Sequence, residues 1–368
     1  MIKICYDHQI FSWQQYGGIP RYFYEIARRI SEYPDADVTI LALAYINEYL
    51  RNGSPGKLIG RYLPHISKTG FLRKPFNNLI SKPFARHCKP DIFHETYYSM
   101  ADCCPRSAKR VITVYDMIHE KFADNFSRRD KTQKIKAHAV RRADHIICIS
   151  ENTRQDLIEI LGVPEEKTSV VYLGSSLITQ KFATKPAEGG KPFILYVGSR
   201  GGYKNFDGLL RAYGRSPLLK NGFSIVCFGG GSFSASELSL AESLHISQDN
   251  ILHVSGTDDI LAGLYTSAAA FVCPSLYEGF GIPPLEAMSF GCPVVCANVS
   301  SLPEVVGDAA ELFNPADAAE MCAAIERVVF TPERVQFLVD RGYERIKQFS
   351  WEKCARDTLN IYKKLLRG

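Results

Sequence analysis

Short apolar runs punctuate the chain, and amphipathic stretches separate them. Residues 2–6, 38–44, 91–93, 111–114 and 146–149 each read as a strand, and a helical pattern at 21–30 follows the first. The pattern then restarts. Residues 193–198 form an apolar run ending in glycine, 224–228 precede Gly229-Gly230-Gly231, and runs at 270–273 and 293–296 follow at similar spacing. Strands alternating with helices predict a parallel, doubly wound sheet, and the restart predicts two of them. The expected first domain is 1–176, joined by a terminal helix at 351–368 that carries Trp351 and Tyr362; the second is 177–350. A stretch at 172–192, rich in Ser, Thr, Gly, Lys and Pro, reads as the linker. Two open α/β domains invite a ligand at the strand ends, where helix N-termini point.

The length of 368 residues suits two domains. With 46% hydrophobic and 23% charged residues the composition is that of a globular protein and excludes disorder, collagen and a heptad fibre. No apolar run approaches the roughly 18 residues of a membrane span. The opening residues lack a basic region followed by a long apolar stretch, so no secretion signal is expected. Eleven cysteines are scattered: Cys103 and Cys104 are adjacent, Cys292 and Cys296 are close, and no CxxC pair occurs. Reduced thiols in a cytosolic protein fit this better than a disulfide framework or a zinc site. Charge is uneven: residues 1–176 carry 26 Lys and Arg against 19 Asp and Glu, whereas 177–368 carry 18 against 20. The excess in the first half suggests an anionic surface or ligand there.

The most informative segment is 274–288, PSLYEGFGIPPLEAM, directly after a strand. Gly279 and Gly281 allow a tight turn with exposed amides, and Pro283 or Pro284 suits the first turn of a helix. Glu286 is then expected within that first turn and Glu278 just outside the helix. Amides at a helix N-terminus donate to phosphate, and a carboxylate beside them accepts from sugar hydroxyls. Equally, Glu278 could cap the helix and Glu286 be a surface acid favoured by its dipole.

Seven residues separate Glu278 from Glu286, and the surrounding text reads EGFGIPPLEAM, then Gly291-Cys292-Pro293-Val294-Val295, then Leu302-Pro303-Glu304-Val305-Val306-Gly307-Asp308. This resembles the retaining glycosyltransferases of family 4, closely in the C-terminal half and more loosely in the N-terminal half. The resemblance extends to enzymes that build bacterial cell-surface polysaccharides. It implies the GT-B fold: two Rossmann-like domains facing a deep cleft, with the last helix crossing back to the first domain. It also implies transfer of a sugar from a nucleotide-sugar with retention of configuration and without metal or cofactor. Glu286 would bind the donor ribose. Glu278 would contact the donor sugar, with the amides of Gly279, Phe280 and Gly281 nearby.

A second glycine loop, 196–205, carries Arg200 and Lys204 before a helix. Cations beside a glycine turn neutralise a diphosphate well, though basic loops are also common on solvated surfaces. The resemblance puts both on the donor phosphates, where they would stabilise the departing nucleoside diphosphate. The first strand is followed by Gly17 and Gly18, which match a Gly-Gly turn near the donor in the family, with Arg21 a candidate for phosphate or acceptor. After the strand at 111–114 relatives carry His-Asp; this chain has Tyr115-Asp116, with His119 three residues on. Asp116 and His119 are therefore catalytic candidates, and His94, ending the strand at 91–93, is an acceptor candidate. Asp35-Ala36-Asp37 reads as a solvated turn, and no P-loop, HExxH or GxSxG motif occurs.

Retention by two displacements needs a carboxylate beneath the anomeric carbon, and no residue is placed there convincingly. The resemblance favours front-face attack, in which the protein positions the reactants and stabilises charge. For the acceptor, 60–87 holds six Lys and Arg, including Arg73 and Lys74, without an acid, interleaved with Phe71, Phe76, Leu79 and Phe84. Residues 128–142 add seven Lys and Arg against Asp130 alone. Such stretches are solvated helix faces or lie on an anionic bilayer. The second reading predicts a lipid-linked glycan acceptor, as in O-antigen, capsule or exopolysaccharide synthesis, at the cytoplasmic face of the membrane, with GDP-mannose or a UDP-sugar as donor. Rival readings are a soluble glycoside product, a nucleotide-sugar binder without activity, and an NAD oxidoreductase, whose GxGxxG turn is lacking. No nucleic-acid motif appears.

Overall fold

The computed structural model describes residues 1–64, 70–175 and 191–367, with the backbone alone for 70–74. Most of the linker expected at 172–192 lies outside the described residues. The chain forms two compact units, Met1–Gly174 with Ser350–Gly368, and Ser175–Phe349.

The first unit holds seven strands: β1 (Ile2–Tyr6), β2 (Ala36–Tyr45), β3 (Lys57–Tyr62), β4 (Ile92–Glu95), β5 (Lys109–Val114), β6 (His145–Cys148) and β7 (Thr168–Val170). They pair in parallel in the order β3-β2-β1-β4-β5-β6-β7. The second unit holds β8 (Phe193–Val197), β9 (Ser224–Phe228), β10 (Ile251–Val254), β11 (Ala270–Cys273), β12 (Val294–Ala297) and β13 (Ala310–Phe313). Their order is β10-β9-β8-β11-β12-β13, again parallel. Each sheet therefore reverses its winding once, between β1 and β4 and between β8 and β11. Helices cover such sheets, so inner strands are buried throughout: Ile194, Leu195, Val294 and Val295 have no exposed surface. A ligand is expected outside the carboxyl ends of the strands at the reversal, where adjacent loops part to opposite faces.

The last helix, Trp351–Leu365, belongs to the first unit. Ser350 caps it by accepting from the Lys353 amide at 3.1 Å. Trp351, Ala355, Thr358, Leu359 and Tyr362 form its buried face at helical spacing. That face packs on the helix Gly18–Ile30. Arg29 donates to Glu352 at 2.7 Å and Lys363 pairs with Asp35 at 2.6 Å. Gly174 permits the join, because a Cβ there would run into the backbone and ring of Trp351.

All eleven cysteines are free thiols, ten of them buried. Among the described residues no helix is long and apolar enough to cross a membrane, and no group of three His, Cys, Asp or Glu residues could hold a metal ion.

Candidate functional site

The reversal point of the second sheet brings two sequence candidates together. The loop after β8 ends in the short turn 202–204, and the loop after β11 carries Glu278. Lys204 Nζ lies 2.7 Å from Glu278 Oε1. Ser275 Oγ donates to the same oxygen at 2.6 Å, and among the described residues no donor reaches Oε2. The pair is mostly buried, with side chains 20% and 15% exposed. Burial by itself lowers the Lys204 pKa, but the charge and hydrogen bond of Glu278 outweigh it and hold the ammonium above its ordinary value.

Neighbouring residues fix both loops. Asn205 takes a left-handed conformation, φ +55°, that asparagine tolerates. Its amide donates to the carbonyls of Pro274 and Pro315, each at 3.0 Å, tying the first loop to the second. Leu276 N donates to Tyr203 O at 2.7 Å. Ser300 Oγ accepts from the Glu278 amide at 2.9 Å, and Ser301 Oγ donates to the carbonyls of Glu278 and Phe280 at 2.8 and 2.7 Å. These serines carry no motif of their own and were not among the sequence candidates.

The turn after Glu278 is buried, not exposed: Gly279, Phe280 and Gly281 are all enclosed, and Phe280 packs edge-on against Phe349. Gly281, at φ +123°, precedes the helix Ile282–Ser289, whose early prolines fit there. Glu286 stands just past the first turn, not within it, because the helix starts at Ile282. Its carboxylate accepts from Tyr265 OH at 3.4 Å.

Arg200 departs from expectation. Its side chain is 3% exposed and turns away to Glu237, Nε to Oε1 at 2.8 Å. Nη1 donates to Gly229 O at 3.1 Å, and Nη2 donates to Gly231 O and Ser232 O, both at 2.8 Å. The cause is Gly229-Gly230-Gly231, three successive left-handed residues with φ +85°, +73° and +75°. A turn of this kind leaves carbonyls that need a donor, and the guanidinium fork supplies it. Burial tends to raise the Glu237 pKa, but donors from Ser234 and Arg200 hold it below the ordinary value. Arg200 is thereby a brace for the glycine turn.

In the first unit Gly17, at φ +146°, starts the helix Gly18–Ile30, and a Cβ there would strike the Gln14 side chain. Gly18 has open space around it. Arg21 sits half-buried in the first turn of that helix. Asp116 and His119 do not pair. Asp116 Oδ1 accepts from Ile118 N at 3.1 Å and lies 3.7 Å from Lys136 Nζ. His119 stacks on Phe126 and faces Asp130 at 3.6 Å. His94 is wholly buried and unavailable to an acceptor: Nδ1 meets Tyr362 OH at 2.5 Å and Nε2 meets Thr113 Oγ1 at 3.0 Å. Its imidazole is driven down to about 3 by burial. It serves to seat the last helix.

Of the seven cations at 128–142, Arg128, Arg129, Lys131, Lys134 and Arg141 are exposed and two are not. Lys136 is completely buried, donating to Glu120 Oε2 at 2.7 Å and to the Asp116 carbonyl at 2.8 Å, so it is no surface cation. Arg142 donates to Glu95 at 2.7 Å. The helix Gly70–Cys88 is inverted. Asn77 and Ser81 are buried, bonding Ala44, Ser12 and His8, while Phe76, Leu79 and Phe84 face outward at 49%, 79% and 40% exposure. The side chains of Arg73 and Lys74 lie outside the described residues.

The family described as glycosyl transferases group 1 matches residues 178–345, and glycosyltransferase family 4 matches residues 16–177. The chain belongs to the family 4 glycosyltransferases. It is 28% identical over 372 residues to O-antigen chain mannosyltransferase B of Escherichia coli, covering 95% of this chain and 96% of that one. It is 23% identical to O-antigen chain mannosyltransferase RfbU of Salmonella typhimurium, covering 90% and 94%. Among solved structures, sucrose-phosphate synthase from Thermosynechococcus elongatus shares the fold with a TM-score of 0.75 at 20% identity, over 100% of both chains. HepE from Anabaena, solved in complex with UDP, shares it with a TM-score of 0.72 at 16% identity, over 99% and 100%. Both neighbours place the chain in the GT-B fold.

Proposed function

We propose that this glycosyltransferase moves a hexosyl residue, best a mannosyl residue, from a nucleotide-sugar to a growing cell-surface glycan, with retention of configuration and without metal. The Lys204–Glu278 pair at the reversal point of the second sheet carries the reading. Lys204 offers a desolvated cation for the donor diphosphate, and Glu278 Oε2 offers an acceptor for hydroxyls of the donor sugar. The buried glycine turn and the helix Ile282–Ser289 add amides nearby. Glu286, half-buried beside Tyr265, is the carboxylate for the donor ribose. Arg200 acts through the glycine turn that it braces. Asp116 is the carboxylate for the acceptor or transferred sugar in the first unit.

The names of the E. coli and Salmonella relatives support mannose and an O-antigen product, and hence GDP-mannose as donor. The UDP complex of HepE supports a nucleoside diphosphate in this fold. The outward apolar face of the helix Gly70–Cys88, flanked by Lys82 and Arg86, supports an acceptor carried on lipid at the cytoplasmic face of the membrane. The test is transfer from GDP-mannose, and separately from UDP-glucose, to a short mannosyl glycan on a polyprenyl carrier, with EDTA present. An α-linked product from GDP-mannose is expected. Transfer only from the UDP-sugar removes the mannosyl assignment, inversion removes the retaining one, and loss in EDTA removes the metal-independent one.

A further inference from the structure

The reversal point of the first sheet carries an aromatic pair, one ring exposed and the other half-buried, that the donor chemistry does not use. Trp13 ends the helix Gln9–Trp13 that follows β1, and Tyr97 stands two residues past β4. β1 and β4 are neighbours, so the two rings flank the point where the winding reverses. Their centroids are 5.0 Å apart at an angle of 53°. Trp13 is 61% exposed. Large aromatic side chains are mostly withdrawn from water, so an exposed tryptophan against a second ring marks a contact surface.

The base of the pair is rigid. Asp7 Oδ1 accepts from Gln9 N at 3.2 Å, from Thr96 N at 2.9 Å and from Thr96 Oγ1 at 2.6 Å. Thr96 Oγ1 in turn accepts from Ile10 N at 3.1 Å. The loops bearing the two rings are thus clamped by one buried carboxylate. Tyr97 is backed by Tyr98 at 4.7 Å and by Tyr115, stacked at 6.4 Å, both buried. Asp116 follows Tyr115 directly, so the loop after β5 brings a carboxylate to the side of the platform. Asp116 keeps its side chain 30% exposed.

We infer that Trp13 and Tyr97 form a platform for a pyranose ring of the glycan acceptor, with Asp116 at its edge to take hydroxyls. One face of a pyranose is a sheet of C–H bonds, apolar and faintly positive, and it fits the negative face of an aromatic ring. The ring's hydroxyls project at its rim, where a carboxylate accepts them. A nucleoside diphosphate needs cations, and a carboxylate at the rim repels it, so the platform suits the neutral glycan. This rests on the glycosyltransferase reading and adds the acceptor subsite to it.

The chain has two tryptophans, and Trp351 is 5% exposed, so emission changes on glycan binding report Trp13. The whole protein is titrated with α-mannotriose in the absence of donor. A saturable emission change is expected, and it should vanish in Trp13→Phe. In transfer assays Trp13→Ala and Tyr97→Ala should raise the acceptor KM about tenfold with the donor KM unchanged, and Trp13→Phe should restore most of the loss. An unchanged acceptor KM in both alanine variants overturns the platform. So does an emission change produced by GDP, or by phosphatidylglycerol vesicles, instead of the triose. Nucleotide binding, read by thermal shift on the same preparations, separates the two levels. Retained GDP binding and transfer with an unaffected acceptor KM remove the platform alone, whereas absence of both nucleotide binding and transfer removes the underlying reading as well.

Discussion

Lys204 and Glu278 are 74 residues apart, follow β8 and β11, and meet at 2.7 Å across the reversal point of one sheet. The contact neutralises each charge in a mostly buried place, and on the proposed reading an arriving diphosphate would compete with Glu278 for the ammonium. Lys204→Met and Glu278→Gln should each lower kcat by about 100-fold or more, the range for losing one charge-stabilising group. Each single change also strands the other charge, costing about 2 kcal/mol after allowance for residual solvent. The double variant should recover most of that stability and none of the activity. Melts and steady-state kinetics on the three variants check this; independent, additive stability losses would show that the pair is not coupled.

Arg200 makes a contrasting case. Its guanidinium is given to Glu237 and three carbonyls of the left-handed glycine turn. Arg200→Ala should destabilise the second unit by about 2 kcal/mol, since it removes a buried guanidinium together with its charged bond to the partly buried Glu237 and its bonds to three carbonyls of the turn. Amide exchange in 229–232 should rise before global unfolding. A variant with wild-type stability and exchange, but weak nucleotide binding, would return Arg200 to the donor phosphates.

What the sequence made legible follows from burial. The nine expected strands are the inner ones, β1, β2, β4, β5, β6, β8, β9, β11 and β12, and all of them form. The four it missed, β3, β7, β10 and β13, are the four sheet edges. An inner parallel strand is covered on both faces and reads as an unbroken apolar run. Three of the edge strands are partly wet: Lys57–Tyr62 has no buried residue, and Thr168–Val170 and Ile251–Val254 have one each. The candidate site divides likewise. The placement of Lys204 and Glu278 in loops that follow inner strands was legible from local spacing, whereas the burial of the glycine turn after Glu278 was not. The role of Arg200 was not, because its partners depend on the left-handed path of a turn 29 to 32 residues away. The burial of His94 has no local signal, because its partner Tyr362 lies 268 residues on. Trp13 and Tyr97 carry no signal in the sequence, because nothing in their local pattern tells an exposed ring from a buried one.

His94 sets a pH dependence. In the folded chain it titrates near 3, against an ordinary value of 6.5. Above that ordinary value both states are neutral and the group contributes nothing. As pH falls below it, the unfolded chain binds a proton that the folded chain refuses, so stability declines by about 1.4 kcal/mol per pH unit toward 3. His94→Gln keeps a donor and an acceptor without titrating. Between pH 7.5 and 5 the wild type should lose about 2 kcal/mol more than this variant. Both tryptophans lie in the first unit, so urea melts read by their emission follow the relevant transition. Equal losses would mean that His94 is protonated in the folded state.

Glu286 and Tyr265 test the ribose assignment. The phenol donates to Glu286 Oε2 at 3.4 Å from a fully buried position, and its ring stacks on Phe290. That contact is long for a hydrogen bond to a carboxylate. Glu286→Gln keeps the shape and one acceptor, and it should weaken binding of GDP about tenfold, the cost of exchanging a charged acceptor for a neutral one. The same variant should bind 2′,3′-dideoxy-GDP no worse than wild type does, because the hydroxyls that the carboxylate holds are missing. Tyr265→Phe should weaken GDP by a smaller factor and leave the acceptor KM alone. Isothermal titration with the two nucleotides decides it: an equal loss for GDP and its dideoxy analogue would move Glu286 away from the ribose.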